Sequence, residues 1–138
     1  MKIIIDSSSF ISAIIKEGKS REIFLHSGLE FLMPEIIFEG IKKYENLIVE
    51  KSGLSRGEVW EVIESLSNYV ELVSDEEIKP FVYEALKIIG EIDEEDSLFI
   101  ACALAYSDSI IWSDDKHFKQ QDKVGVYTTK KLIDRFGL

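Results

Sequence analysis

Residues 3–5 place the strongest constraint on what this chain can fold into. Ile3, Ile4 and Ile5 are consecutive β-branched residues, without the polar alternation of a strand that faces water on one side. This composition is typical of a strand in a parallel sheet that helices cover on both faces. Two further apolar runs lie at residues 31–33 and 110–112, and each follows a segment with helical periodicity. The pattern favours an α/β fold.

The predicted elements alternate between strands and helices along the whole sequence. Strands are predicted at residues 3–5, 31–33, 69–73, 110–112 and 124–127, and helices at 7–17, 21–26, 34–44, 55–66, 75–89, 93–106 and 128–136. No repeat, linker or low-complexity segment separates them. The sequence therefore predicts one domain, residues 1–138, built as a three-layer sandwich around a mainly parallel sheet.

Composition limits the classes of function. Sixteen Lys and Arg against 26 Asp and Glu give a formal net charge of -10, so the overall field of the protein repels nucleic acid. The single cysteine, Cys102, excludes an internal disulfide and is interpreted as a packing group. The two histidines, His26 and His117, have neither zinc-type spacing nor a partner at ligand spacing, and they are interpreted as surface or packing residues. Without an apolar run of about 20 residues for a membrane span, we expect a cytoplasmic protein.

Acidic residues follow two of the predicted strands. Asp6 comes directly after the first strand, and Asp114 and Asp115 come shortly after the strand at 110–112. Four more acids lie at residues 93–96, at the start of a helix rich in small residues. Ligands of parallel sheets bind at the carboxyl ends of the strands. Carboxylates that meet there repel each other unless a cation is present, and such hard oxygen ligands suit Mg²⁺ or Mn²⁺.

Each acid also has a purely structural interpretation. Asp93 and Asp96 fit the N-cap and N3 positions of a helix, and Asp6 fits the N-cap of the helix after it. Asp114 and Asp115 fit an ordinary turn. For Glu39, which lies between Phe38 and Gly40 in the helix after Pro34, the structural interpretation is solvent exposure.

Taken as a set, these residues resemble a PIN domain. The resemblance depends on Asp6 after an apolar strand, Glu39 on the helix after Pro34, Asp93-x-x-Asp96 before a run of small residues, and Trp112-Ser113-Asp114-Asp115-Lys116-His117-Phe118, and it extends over residues 2–136. PIN domains are metal-dependent ribonucleases, and many are the toxins of VapC-type toxin–antitoxin pairs. The resemblance therefore implies hydrolysis of RNA by one or two Mg²⁺ or Mn²⁺ ions. It also implies a homodimer and, for a toxin, a small antitoxin partner.

The resemblance assigns roles to individual residues. It implies that Asp6, Glu39, Asp96 and Asp115 are the catalytic and metal-binding acids, with Asp93, Asp114, Ser8 and Ser113 as accessory residues. Asp114 departs from the family pattern, in which a non-acidic residue commonly precedes the last acid. Asp115 is the preferred ligand of the two because Asp-Lys-His-Phe fits the family ending Asp-x-x-Phe.

The lysines and arginines are concentrated towards the two ends of the sequence. The acid excess lies in the segment 22–115, whereas residues 1–21 and 116–138 contain more basic than acidic residues. We expect a basic rim around the site that contacts RNA phosphates. Its predicted members are Lys16, Lys19, Arg21, Lys116 and Lys119.

Two other classes of function stay open from the sequence alone. The first is a catalytically silent PIN-like interaction module. The second is a receiver-like or phosphatase-like domain that binds Mg²⁺, although the segment Asp6-Ser7-Ser8 lacks the acid pair or Asp-x-Asp that such folds use. Trp60 and Trp112 are interpreted as core or interface residues, with stacking on RNA bases as the alternative. The apolar stripes at residues 59–66 and 78–89 are predicted to belong to the core, with a dimer or antitoxin groove as the alternative.

Overall fold

A parallel sheet forms the centre of the fold in a computed structural model, which describes residues 1–90 and 94–138. Its five strands are β1 (Lys2–Ile5), β2 (Glu30–Pro34), β3 (Val70–Val73), β4 (Ser109–Trp112) and β5 (Val126–Tyr127), in the order β3-β2-β1-β4-β5. Every pair of neighbouring strands is parallel. The predicted α/β fold with a parallel sheet is confirmed.

Helices connect the strands. They are α1 (Ser7–Ile15), α2 (Lys19–His26), α3 (Glu35–Glu39), α4 (Glu45–Ser52), α5 (Arg56–Ser67), α6 (Asp75–Ile78), α7 (Val82–Ile89), α8 (Glu94–Ala105) and α9 (Thr129–Phe136). Short 3₁₀ turns lie at Gly40–Tyr44, Lys79–Phe81 and Lys116–Gln120. Several helices begin at a side-chain cap, as in α5, where Ser55 and Glu58 form the predicted capping box. None of the helices in the described ranges is long and apolar enough to cross a membrane.

The core lies on both faces of the sheet. Ile3, Ile4 and Ile5 are all fully buried, and because successive strand residues point to opposite faces, both faces must be covered. Trp112 and Cys102 are also fully buried, which confirms their interpretation as core residues. Burial raises the pKa of the Cys102 thiol to about 12, so this cysteine is not a nucleophile. Trp60, in contrast, lies at the surface with 37% of its area exposed.

Two of the predicted helices are broken in the structure. The predicted helix 34–44 ends at Glu39, and the chain continues as a 3₁₀ turn that begins at Gly40, a residue with low helix propensity. Helix α4 follows this turn and was not predicted as a separate element. The predicted helix 75–89 is divided into α6 and α7 by a 3₁₀ turn that contains Pro80, which cannot donate a helical hydrogen bond.

The strand order creates a crevice at one edge of the sheet. The chain leaves β1 towards β2 on one side, whereas it leaves β4 towards β5 on the other side. Connections that diverge in this way open a crevice at the carboxyl ends of the two strands, where α/β proteins bind ligands. Ile5 pairs with Trp112 in the register of β1 and β4, so Asp6 and Ser113 come next to each other at this crevice.

Candidate active site

Asp6 lies at the bottom of the crevice and is 3% exposed. One carboxylate oxygen, Oδ1, accepts a hydrogen bond from the backbone N–H of Ser9 at 2.9 Å, so Asp6 is the N-cap of α1. The other oxygen, Oδ2, accepts from the Ser113 hydroxyl at 2.5 Å. The Ser8 hydroxyl lies 3.1 Å from Oδ2 and 3.2 Å from Oδ1. The predicted capping role is therefore present, and it leaves the carboxylate facing the crevice.

The surroundings of Asp6 disfavour its negative charge. Burial raises the pKa of this carboxyl group, and hydrogen bonds from Ser113, Ser9 and Ser8 offset part of that effect. Among the described residues, no Lys or Arg forms an ion pair with Asp6. A buried carboxylate that is held only by neutral donors is stabilised by a nearby cation.

Asp96 and Asp115 meet a histidine at the same edge of the sheet. Asp96 is buried in the first turn of α8, and Asp115 is the N-cap of the 3₁₀ turn after β4. The His117 ring nitrogen Nδ1 lies 3.3 Å from Asp96 Oδ2 and 3.6 Å from Asp115 Oδ1. One potential ligand atom from each of the three residues lies within 4.8 Å of the others. This group could hold a metal ion.

The position of His117 was missed by sequence reasoning. The histidine is half-exposed, as a surface residue would be, but the interpretation that it lacks partners at ligand spacing is wrong. Its spacing from Asp115 is the signal that could have found it. Two residues apart in a tight turn, with Phe118 buried as an anchor, the two side chains reach the same site.

A pocket of about 250 Å³ at the carboxyl end of β1 joins Asp6 with Asp96 and Asp115. It is lined by Asp6, Ser7, Ser8, Ile11, Tyr44, Glu95, Asp96, Phe99 and Asp115. Three of the four predicted acids, Asp6, Asp96 and Asp115, are thus brought together, with the predicted accessory residue Ser8. They come from three separate elements, so the sheet topology, and not local sequence, creates the site. Asp93, a predicted accessory acid, lies outside the described residues.

Glu39 is not brought to this pocket. Its side chain is exposed at the last residue of α3, and it is absent from both the pocket lining and the ligand group among the residues that the structure describes. Phe38, beside it, packs against Phe10 with ring centroids 5.9 Å apart. That contact directs α3 towards the core through Phe38. A role for Glu39 as the fourth acid stays a prediction.

Lys43 forms an ion pair with Glu95, a residue of the pocket wall, and this contact was not predicted. Its ammonium group lies 2.6 Å from Glu95 Oε1 and 5.1 Å from the centre of the Tyr44 ring. Ser7 donates a hydrogen bond of 3.4 Å to the other oxygen of Glu95. The 3₁₀ turn after α3 therefore brings a cation to the pocket wall, although Glu39 itself faces solvent.

The two adjacent acids after β4 have different partners. Asp114 accepts hydrogen bonds from the Thr129 backbone N–H at 2.8 Å and the Thr129 hydroxyl at 2.7 Å. The indole Nε1 of Trp112 donates to the same hydroxyl at 2.9 Å. Asp114 thus holds the start of α9, whereas Asp115 contacts His117. This arrangement supports the sequence preference for Asp115 as the metal-facing acid.

Ser113, the other predicted accessory hydroxyl, links two of the acids. It is fully buried, and its hydroxyl donates to Asp6 Oδ2 and accepts from the Asp115 backbone N–H at 3.0 Å. The hydroxyl therefore fixes the loop after β4 relative to the end of β1. Such an outer hydrogen bond is the arrangement that orients metal-binding carboxylates.

The members of the predicted basic rim lie in two separate places. Lys116 and Lys119 are exposed in the 3₁₀ turn that directly follows Asp115. Lys16, Lys19 and Arg21 follow α1, whose nine residues carry the chain about 13 Å away from Asp6, and their membership of the rim stays a prediction. Arg21 donates hydrogen bonds to the Ala13 and Ile14 carbonyl oxygens at 2.7 and 2.9 Å, which satisfy the end of α1.

The parallel sheet and the carboxylates at its switch point define a class of α/β domain with an acidic site. The family model of the PIN domain matches residues 4–132, and the chain belongs to the PIN-domain family. The comparison with curated proteins finds no relative that matches. The family identifies a nuclease-type fold, for which hydrolysis of phosphodiester bonds with divalent metal ions is the general activity. It does not support the receiver-like or phosphatase-like alternative.

Proposed function

We propose that this protein is a metal-dependent endoribonuclease that hydrolyses RNA phosphodiester bonds. The observation that carries the proposal is the convergence of Asp6, Asp96 and Asp115, from three separate elements, on one pocket. Their carboxylates would repel each other in the buried crevice without a cation. A purely structural role would not require acids from distant parts of the chain to meet in this way.

The donor set fits a divalent metal ion. Carboxylate oxygens are the ligands that Mg²⁺ and Mn²⁺ prefer, and burial of Asp6 without a basic partner among residues 1–90 and 94–138 favours binding of a cation. Asp6, Asp96 and Asp115 would hold one or two such ions. When bound, the metal activates water for in-line attack and neutralises the charge on the leaving oxygen.

The chain's own residues position these groups. Ser113 fixes Asp6 relative to Asp115 through its hydroxyl, and the N-cap bond from Ser9 holds the Asp6 carboxylate at the end of β1. The Ser8 hydroxyl lines the pocket beside Asp6 and is placed to orient solvent there. Glu39, which is exposed at the end of α3, is the fourth acid of the proposal.

Asp96→Asn should lower the rate of RNA cleavage by about 100-fold or more, because removal of a ligand exceeds the 10–100-fold cost of losing an outer-shell partner. The measurement is cleavage of a fluorescent single-stranded RNA with Mg²⁺ and with Mn²⁺. Asp108→Asn is the matched control, since Asp108 is 82% exposed and contacts the amino group of Met1. An Asp96→Asn protein that cuts RNA as fast as wild type would exclude the proposed site.

A second expectation concerns the way in which an acidic protein holds RNA. Replacing Lys116 and Lys119 together with alanine should weaken RNA binding several-fold and reduce the salt dependence of the affinity, since each phosphate contact contributes about 0.7 to the slope for single strands. The matched control replaces Lys16 and Lys19, two exposed lysines that flank the connection between α1 and α2. Equal effects of the two double variants would contradict a local basic rim.

The biological setting is part of the proposal. We propose either the toxin of a toxin–antitoxin pair or a stand-alone processing nuclease, acting in the cytoplasm as a homodimer, on the strength of the family resemblance. Tyr83 on α7 is 72% exposed and its ring lies under Lys87, and we propose α7 as the helix that faces a protein partner. A small DNA-binding protein encoded beside this chain would distinguish the toxin from the processing enzyme.

A further inference from the structure

His117 contacts the candidate site but has no place in the predicted set of acids. Its Nδ1 atom lies 3.3 Å from Asp96 Oδ2 and 3.6 Å from Asp115 Oδ1. Around an ion with bonds of about 2.1 Å, neighbouring octahedral ligands are about 3.0 Å apart and opposite ligands about 4.2 Å apart. The two distances from Nδ1 lie within this range, and one potential ligand atom from each of the three residues lies within 4.8 Å of the others, so small adjustments would bring the three residues to the spacing of ligands of a single ion.

The turn that carries His117 is fixed at several points. Asp115 N donates to Ser113 Oγ, and His117 N donates to Asp115 Oδ1 at 2.9 Å. The next residue, Phe118, is buried edge-on against Phe99, with ring centroids 6.2 Å apart. A histidine on such an anchored turn is more precisely placed than one on a free loop.

The turn that carries His117 contacts helix α8 at two positions on one face of the helix. Phe99 lies three residues after Asp96, on the same face of the helix. His117 contacts Asp96 while Phe118 contacts Phe99. Two consecutive residues of the turn thus meet two positions about one helical turn apart, and this match sets the imidazole ring beside the Asp96 carboxylate.

The chemical type of a ligand atom determines which metal ions it binds well. Carboxylates suit Mg²⁺ and Mn²⁺, whereas an imidazole nitrogen suits transition-metal ions and contributes little to Mg²⁺ binding. We propose that His117 Nδ1 is a metal ligand together with Asp96 and Asp115, and that this nitrogen gives the site a preference for Mn²⁺ over Mg²⁺. The inference rests on the metal-dependent function proposed above.

The protein allows a direct test because it contains only two histidines, His26 and His117. Pulsed electron paramagnetic resonance of the Mn²⁺-bound protein, without RNA, detects ¹⁴N coupling from an imidazole bound to the ion. We expect this coupling in wild type and in His26→Gln, in which an exposed histidine at the end of α2 is replaced. It should be absent from His117→Gln.

Calorimetric titration supplies the second measurement. His117→Gln should lower Mn²⁺ affinity by about 10-fold or more and change Mg²⁺ affinity much less. Lack of Mn²⁺ binding, lack of ¹⁴N coupling in wild type, or coupling that persists in His117→Gln would each overturn the inference. If wild type lacks the coupling but cuts RNA with Mn²⁺, only the ligand role of His117 fails. If Asp96→Asn cuts RNA normally, the nuclease site itself fails.

Discussion

Asp6→Asn should reduce RNA cleavage by about 100-fold or more and at the same time raise the melting temperature of the metal-free protein at neutral pH by a few degrees. The loss follows from removal of a proposed metal ligand. The gain follows from burial, which raises the pKa of Asp6 and makes its ionised form costly. Asparagine keeps an oxygen that can accept the Ser9 N–H but has no charge to bury.

The stability difference between Asp6→Asn and wild type should increase with pH. The folded pKa of Asp6 is raised, so the stability that this group contributes is complete below the unfolded value of about 3.9 and is lost as the pH rises through the folded pKa. The advantage of Asp6→Asn should therefore be small near pH 4 and reach its full size once the wild-type group has ionised. Thermal unfolding with a chelator, from pH 4 to 8, measures it.

Metal ions should reverse the order of stability. Mg²⁺ or Mn²⁺ binds the folded state and should raise the melting temperature of wild type, whereas Asp6→Asn should respond weakly. Asp122→Asn, at an exposed aspartate, is the control and should behave as wild type in every assay. An Asp6→Asn protein that is less stable than wild type by the same amount at all pH values would show that the carboxylate is a structural cap and not a strained ligand.

Trp112→Ala should destabilise the fold by about 3–5 kcal/mol, the range for removing a buried tryptophan. Trp112 is fully buried at the end of β4, its ring lies 5.8 Å from that of Phe31, and its Nε1 donates to Thr129. The substitution leaves a large cavity and also releases α9. Urea unfolding followed by circular dichroism measures the free energy of unfolding.

The second tryptophan provides the comparison. Trp60 lies on α5 with 37% of its area exposed. Trp60→Ala should therefore lower the free energy of unfolding by about 1 kcal/mol or less. Trp112→Phe should lie between the two, because it keeps a buried ring but loses the bond to Thr129. Equal losses for Trp60→Ala and Trp112→Ala would contradict the central position of Trp112.

The strands and several caps could be predicted from residue patterns because their causes are local. The consecutive isoleucines of β1 indicate burial on both faces, and Ser55 with Glu58 forms a cap within one turn of helix. The breaks at Gly40 and Pro80 follow from equally local properties. Apolar spacing continued through both positions, however, and the prediction gave that spacing more weight than the glycine and the proline.

The candidate site could be predicted only in part, because its geometry depends on contacts between distant segments. Asp6 and Asp115, which lie within three residues of the ends of β1 and β4, could be placed at the carboxyl edge, since topology determines that position. Lys43 and His117 could not be placed in this way. Their side chains reach the site through turns whose direction depends on tertiary packing, such as that of Phe118 against Phe99.

The pairing of β1 with β4 also has a consequence for how the protein folds. The hydrogen bond from Ser113 to Asp6 joins residues 107 apart in sequence, so a very large loop must close before the central strand gains its second neighbour. Contacts of such long range slow folding. Until β4 arrives, the apolar strand at residues 2–5 has one open edge, and partly folded chains are then most exposed to aggregation.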